Sequence, residues 1–98
     1  MDVNISKDGG DITVKVSGRL NTSTAPDFES QLMPALQGAT SLALDFEDLE
    51  YISSAGLRIV LFAQKTMNRQ GQMVVKNVKP EIYEVFDMTG FVDFLTIE

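Results

Sequence analysis

A two-residue alternation of apolar and polar positions opens the chain. Val3 and Ile5 alternate with polar residues, and the same pattern returns over residues 12–16, after the sequence DGGD at residues 8–11. Such alternation is typical of a strand with one buried face, and a glycine pair between two such runs indicates a tight turn. The sequence therefore predicts that the chain begins with a β-hairpin.

Apolar residues then recur at the spacing of a helix, from Ala25 to Leu36. Thr24 and Asp27, three residues apart, are typical of a helix start that carries a variant of the capping box. Gly38 is placed to end this helix. Pro34 removes one helical hydrogen bond, so we expect the last turn to be kinked or the helix to end early.

The rest of the chain changes repeatedly between the two patterns. We predict, in order, a strand over residues 42–46, an acidic loop over Glu47–Glu50, a helix from about Ala55 to about Arg69, a strand over Gln72–Val78, a helix from Pro80 to Gly90 and a short strand over Val92–Ile97. The order β-β-α-β-α-β-α-β predicts an α/β fold with a four- to five-stranded mixed sheet, parallel beyond its hairpin and covered by helices.

Composition and charge exclude several classes of function. The 98 residues contain eight Lys and Arg against fourteen Asp and Glu, no His and no Cys, and carry a net charge of −6. This charge repels nucleic-acid phosphates and anionic lipid surfaces, while the missing His and Cys remove the commonest general base and metal ligands. We therefore expect a protein that is not an enzyme, binds no nucleic acid, metal or cofactor, and acts on a protein partner.

The sequence predicts neither a signal peptide nor a membrane-spanning segment. The first residues, MDVN, lack the basic and apolar regions of a signal peptide, and the longest apolar run, Ile59–Ala63, is too short to cross a bilayer. We expect one domain over residues 1–98, located in the cytoplasm and without direct membrane insertion.

The sequence DFEDLEYISSAGL at residues 45–57 stands out because an apolar strand passes through an acidic turn into two serines. If a helix begins just after Ser53 and Ser54, a phosphate on either hydroxyl lies at the positive end of that helix, where free N–H groups stabilise an anion. The same position suits a hydroxyl that only caps the helix. On these residues alone, a regulatory serine and a helix cap both stay open.

Two residues after the serines are unexpected in the first turn of a helix. Gly56 costs about 1 kcal/mol relative to Ala in a helix interior, and Arg58 places a cation near the positive helix end. The missing side chain at Gly56 lets either another molecule or a neighbouring strand approach the backbone. Arg58 is either a solvated side chain or a group that balances a phosphate or meets an acidic partner.

The predicted second helix is apolar around most of its first half. One stripe of it is placed to cover the sheet, which leaves a second stripe containing Ile59, Phe62 and Ala63. We expect a neighbouring helix to bury this second stripe, with a partner-binding patch as the alternative.

Four segments of the chain match the order of segments in a known family. They are SGRLNTSTAPDFESQL at residues 17–32, LALDFEDL at 42–49, YISSAGLRIVL at 51–61 and VFDMTGFVDFLTI at 85–97. Together they resemble the STAS domain, specifically the stand-alone bacterial anti-sigma factor antagonists. The resemblance implies a STAS-like α/β fold over nearly the whole chain.

The resemblance also implies a switch protein. Its unphosphorylated form binds an anti-sigma factor that is also a serine kinase of the GHKL type, phosphorylation by that kinase ends the complex, and a PP2C-type phosphatase restores it. The family's phosphorylated serine, two residues before the Gly-Leu pair, corresponds to Ser54. Ser53 stands where the family often has Asp and is the alternative acceptor, and Asn21 stands where the family often has an acidic residue.

The partner is expected to contact the residues around this serine. These are Asn21, Thr22, Ser53, Ala55, Gly56, Leu57 and Arg58. Two other classes of function stay open: a STAS accessory subunit of a membrane transport complex, and a small nucleotide-binding protein. The second is the least favoured, because the chain has no phosphate-binding loop.

Overall fold

The computed structural model describes all 98 residues and begins with the expected hairpin. Strand β1 (Asp2–Asp8) runs antiparallel to β2 (Asp11–Leu20), and Gly9 and Gly10 form the turn between them. Gly9 has a φ of +62°, a left-handed conformation that glycine adopts without a steric penalty. The glycine pair thus fixes the register of the hairpin.

Helices and strands alternate along the rest of the chain. They are α1 (Ala25–Ala35), β3 (Ser41–Asp45), β4 (Leu49–Ile52), α2 (Ser54–Asn68), β5 (Gln72–Lys76) and α3 (Pro80–Met88), with a 3₁₀ turn over Phe91–Asp93. The expected α/β class is confirmed. Both hairpin strands extend three to four residues beyond the alternating runs at their carboxyl ends, and, except for β4 and the last predicted strand, the other predicted boundaries agree with these to within two residues.

The five strands form a mixed sheet in the order β1-β2-β3-β5, with β4 beside β2. β3 lies parallel to the first half of β2, and β5 lies parallel to β3. β4 pairs in parallel with the last residues of β2, after a shift in register between Gly18 and Arg19. Because β2 to β5 all run in the same direction, their carboxyl ends lie at one edge of the sheet.

The acidic loop predicted over Glu47–Glu50 is wrong in its second half. Glu47 and Asp48 do lie in a turn, but Leu49–Ile52 forms β4. Leu49 and Ile52 are buried and the two residues between them are exposed, so this strand shows no two-residue alternation. The local sequence therefore gives no sign of it.

The predicted last strand over Val92–Ile97 is also wrong. Gly90 has a φ of +80° and precedes the 3₁₀ turn, to which the first residues of this segment belong. Only Ile97 reaches the sheet, through an isolated parallel bridge to Val75 of β5. The segment therefore pairs with β5 at a single residue and does not form a strand.

The two ends of α1 depart from the expected pattern in different ways. The helix ends at Ala35, directly after Pro34, so the early end is observed. The capping box is wrong, because the Thr24 side chain makes no hydrogen bond to the first turn of α1. The Thr24 hydroxyl instead donates to the carbonyl of Arg19, at 2.8 Å.

The hydrophobic core lies between one face of the sheet and helices α1 and α2. Ile12, Val14 and Val16 of β2 are buried on this face, while the polar residues between them lie on the opposite, more exposed face. Phe28 of α1 and Val60 of α2 are completely buried. The two-residue alternation seen in the sequence thus marks the core face of the sheet.

Helix α2 packs against α1 as well as the sheet. Ile59 and Ala63 are buried, as expected for a stripe covered by a neighbouring helix, but Phe62 is 48% exposed. With 15 residues α2 is the longest helix, and none of the helices has the length and apolar character needed to span a membrane.

Candidate functional site

The two serines lie at the sheet edge where the parallel strands end. Ser53 follows β4, and the loop of residues 21–24 follows β2, which pairs with β4. The Ser53 N–H donates to the carbonyl of Leu20 at 2.8 Å, so the start of α2 is tied to the end of β2. Carboxyl ends of parallel strands are the usual position of binding sites in α/β folds.

Ser53 and Ser54 have different environments although they are adjacent. Ser53 is the N-cap of α2, and its hydroxyl oxygen accepts a hydrogen bond from the N–H of Gly56 at 3.4 Å. Ser54 is the first residue of the helix, is exposed, and its hydroxyl has no hydrogen-bond partner in the protein. The structure therefore assigns the cap to Ser53 and leaves the hydroxyl of Ser54 free.

Asn21 holds the loop between β2 and α1. Its side-chain oxygen accepts hydrogen bonds from the N–H groups of Ser23, at 2.9 Å, and Thr24, at 3.1 Å. The Asn21 N–H in turn donates to the Thr24 hydroxyl at 2.9 Å. This closed turn takes the place of the predicted capping box and fixes the loop of residues 21–24.

Two of the expected contact residues are buried. Gly56 faces the core, where an added Cβ would lie 2.7 Å from Cγ of Leu20 and 3.0 Å from Cγ1 of Ile52. Leu57 is only 6% exposed. That Gly56 and Leu57 contact a partner stays a prediction, and in this conformation the missing side chain at Gly56 allows close packing against β2 and β4.

Three of the other expected contact residues share one surface. A groove between the first turns of α1 and α2 is lined by Thr22, Ala25, Pro26, Glu29, Ala55, Arg58 and Ile59. Thr22, Ala55 and Arg58 thus come together although they are far apart in the sequence. The groove lies beside Ser54, which precedes Ala55 directly.

Three exposed residues follow the outer side of α2 at intervals of four. Ser54, Arg58 and Phe62 occupy positions i, i+4 and i+8, which lie next to one another along a helix surface. We call this set the α2 ridge. Phe62 was expected in a buried stripe, and nothing in its sequence context distinguishes it from Ile59 and Ala63.

A second exposed pair, which the sequence does not predict, lies close to the serines along β4. The guanidinium carbon of Arg19 is 4.4 Å from the ring centroid of Tyr51, a cation–π contact between paired residues of β2 and β4. The pairing depends on the shifted register after Gly18, which no local pattern reveals.

The acidic turn after β3 is organised by Lys15 and Asn77. The ammonium of Lys15 lies 3.3 Å from Asp48 and 3.8 Å from Glu47, and its hydrogen bond to Asp48 together with both charges raises its pKa. Partial burial alone would raise the pKa of Asp45, but hydrogen bonds from the Asn77 amide and the Glu47 N–H, together with the charges of nearby lysines, outweigh that effect and lower it. No set of three acidic side chains converges as a metal site would require.

Comparison with known proteins identifies the family. The STAS domain model matches residues 2–98, and the chain belongs to this family. BtrV of Bordetella bronchiseptica, assigned as an anti-sigma factor antagonist, is 33% identical over 99 residues, covering 99% of this chain and 85% of BtrV. The anti-sigma-B factor antagonist of Bacillus subtilis is 26% identical over 98 residues, covering 99% of this chain and 90% of that protein.

The fold matches a solved antagonist in two chemical states. The unphosphorylated form of the anti-sigma factor antagonist SpoIIAA superposes with a TM-score of 0.84 and 17% identity, covering 99% of this chain and 88% of that one. The phosphorylated form of Bacillus SpoIIAA gives a TM-score of 0.77, covering 99% and 91%. The STAS-like fold implied by the sequence is therefore confirmed.

Proposed function

We propose that this chain is an anti-sigma factor antagonist whose binding to an anti-sigma factor is switched by phosphorylation of Ser54. The observation that carries the proposal is the free, exposed hydroxyl of Ser54 at the first position of α2. The neighbouring hydroxyl of Ser53 already serves as the helix cap, so it is the poorer acceptor. The antagonist role is supported by the assigned roles of BtrV and the Bacillus subtilis relative.

The phosphoryl donor in this proposal is ATP bound by the anti-sigma factor, which acts as a GHKL-type kinase. The Ser54 oxygen forms a bond to the γ-phosphorus, the bond between that phosphorus and the ADP oxygen breaks so that ADP leaves, and the hydroxyl proton passes to a base of the kinase or to water. A PP2C-type phosphatase reverses the modification: water attacks the phosphorus, inorganic phosphate leaves and the hydroxyl is restored. The antagonist contributes only the acceptor and its position.

Phosphorylation ends binding in this proposal through local electrostatics. A phosphoserine adds about −1.5 to −2 charges at pH 7 to a chain that already carries −6. In an interface that group has to lose its water and repels acidic groups of the partner. The free N–H groups at the start of α2 stabilise the phosphate where it stands, so the fold does not have to change.

Intact-mass spectrometry tests which serine accepts the phosphate. Wild type, Ser53→Ala and Ser54→Ala are each incubated with ATP and, one at a time, with the purified GHKL-type anti-sigma factors encoded in the same genome. We expect wild type and Ser53→Ala to gain one phosphate and Ser54→Ala to gain none. Phosphorylation of Ser54→Ala at the wild-type rate would overturn the assignment.

Binding to the same purified kinase tests the switch. We expect Ser54→Ala to bind like wild type and Ser54→Asp to bind more weakly, because only the second substitution adds a charge at the site. Equal binding by all three would contradict the switch. Binding to a transporter ATPase instead of any of the kinases would favour the accessory-subunit alternative.

A further inference from the structure

The α2 ridge carries a cation and a large apolar ring beside the proposed phosphorylation site. Arg58 and Phe62 follow Ser54 at successive turns, and both are exposed. Helical side chains lean towards the amino-terminal end, so the side chain of Arg58 covers the turn that contains Ser54. Serine, guanidinium and phenyl ring therefore form one continuous surface.

Arg58 has no anionic partner within the chain. Both ion pairs of the structure are made by Lys15, on another part of the molecule. Glu29 of α1 lines the same groove as Arg58, but the two do not form an ion pair. An unpaired guanidinium near a positive helix end gains energy from any anion that comes close.

We propose that the α2 ridge is the surface that binds the anti-sigma factor, and that Arg58 exchanges one anion for another during the switch. In the complex, a carboxylate of the partner binds Arg58 while an apolar pocket of the partner receives Phe62. When Ser54 is phosphorylated, the phosphate four residues earlier binds Arg58, and the partner's carboxylate is left without its cation. The inference rests on the proposed function and names the chemistry of the partner surface.

This exchange gives a role to two exposed residues of α2. A cation near the amino-terminal end of a helix opposes the macrodipole, and exposed aromatic and Arg side chains often dominate binding where they reach an interface. Charge complementarity also favours a carboxylate at this point. Arg58 is an uncompensated positive group on a chain of net charge −6.

A phosphorus NMR titration tests the intramolecular pair without any partner. Phosphoserine is incorporated at position 54 during translation, in wild type, Arg58→Gln and Lys65→Gln. A nearby cation favours the dianionic phosphate, so we expect the second pKa of the phosphoserine to rise on the order of 0.3 pH units in Arg58→Gln. Lys65→Gln loses the same charge on the same helix, but about 16 Å away, beyond the screening length, and should match wild type.

Equal phosphoserine pKa values in wild type and Arg58→Gln would overturn the exchange. The titration needs no kinase, so its result stands whether or not the proposed function is correct. Glu29, the carboxylate that lines the same groove, is unchanged in all three proteins, so its direct repulsion of the phosphate is the same in each.

Binding of the unphosphorylated protein to the purified kinase tests the docking surface. We expect Arg58→Gln and Phe62→Ala each to weaken binding about tenfold, as is typical of central contacts. The matched controls are Phe94→Ala, which removes another exposed phenyl ring, and Lys7→Gln, which removes a charge at the far end of β1. Both should bind like wild type.

The outcomes separate the two proposals. If Ser54→Asp weakens binding but Arg58→Gln and Phe62→Ala do not, the switch stands and the α2 ridge is not the docking surface. If none of the kinases binds wild type, the proposed function fails, while the phosphorus titration still decides the Arg58 pair. Circular dichroism of each variant checks that these exposed substitutions leave the fold intact.

Discussion

Gly56 of α2 lies so close to Leu20 of β2 that a Cβ added to the glycine would be 2.7 Å from Cγ and 2.9 Å from Cδ2 of the leucine. Leu20 is completely buried. The contact sets how closely the first turn of α2 approaches the end of β2. It thereby fixes the position of Ser53 and Ser54 at the sheet edge.

Gly56→Ala is expected to destabilise the protein despite the better helix propensity of Ala. Overpacking of a core costs about 1–3 kcal/mol, and the helix propensity returns about 1 kcal/mol, so we expect the free energy of unfolding to fall by up to about 2 kcal/mol. Urea denaturation followed by circular dichroism measures it. Combining Gly56→Ala with Leu20→Ala should cost less than the sum of the single changes, because the second removes the clash.

A higher free energy of unfolding in Gly56→Ala than in wild type would contradict this account. It would mean that the Leu20 side chain can shift without loss of stability, and that close packing against Leu20 is not what requires a glycine at position 56.

Ser53→Ala and Ser54→Ala are expected to differ in stability. Loss of an N-cap costs about 0.5–2 kcal/mol. Because the Ser53 hydrogen bond is long, at 3.4 Å, we expect Ser53→Ala to lower the free energy of unfolding by an amount near the lower end of that range. Ser54→Ala removes a free, exposed hydroxyl and should change the free energy of unfolding by less than about 0.5 kcal/mol. Paired urea denaturation curves provide the measurement. Equal costs would show that the two hydroxyls share the capping role.

Asn21→Ala should destabilise the protein by about 1–2 kcal/mol, because it leaves two loop N–H groups without their acceptor. Asn21→Asp is the matched control: it keeps an acceptor oxygen at the same place and adds a negative charge near the start of α1, which the helix dipole favours. We expect its stability to equal or exceed that of wild type. If Asn21→Ala and Asn21→Asp lose the same amount, the side-chain oxygen is not what holds the loop.

The sequence predicts the helices and strands whose apolar residues recur at a regular spacing. It does not predict structure that depends on pairing between distant strands. The hairpin and the three helices follow from local spacing and turn residues. β4 does not, because a four-residue strand becomes one only by pairing with the end of β2 after a register shift. The last predicted strand fails for the opposite reason: its apolar residues suit a strand, but a glycine with positive φ directs the chain into a 3₁₀ turn.

The candidate site divides in the same way. The start of α2 after the serines was predictable from the order of residues along the chain. Only the structure shows that Ser53 caps the helix while the hydroxyl of Ser54 is free. The burial of Gly56 and the exposure of Phe62 depend on which way α2 is rotated against β2 and α1. Spacing alone defines the stripes of a helix but not which neighbour covers each of them.

The pair formed by Asp45 and Asn77 should make part of the stability depend on acid pH. The Asn77 amide donates to the Asp45 carboxylate at 3.0 Å, and the pKa of Asp45 is lowered in the folded protein. A carboxyl whose folded pKa lies below its unfolded value stabilises the protein above that value, 3.8. The contribution is lost as the pH falls through the lower, folded pKa.

Asn77→Gly removes the amide while tolerating the positive φ of 57° at this position. We expect the pKa of Asp45, followed by carbon NMR of its carboxyl group, to rise towards 3.8. The same substitution should lower the free energy of unfolding at pH 7, and the difference from wild type should shrink as the pH falls below the folded pKa of Asp45, where both proteins carry a neutral Asp45. An unchanged pKa of Asp45 in Asn77→Gly would show that the backbone N–H of Glu47 and the nearby lysines alone keep this carboxylate ionised.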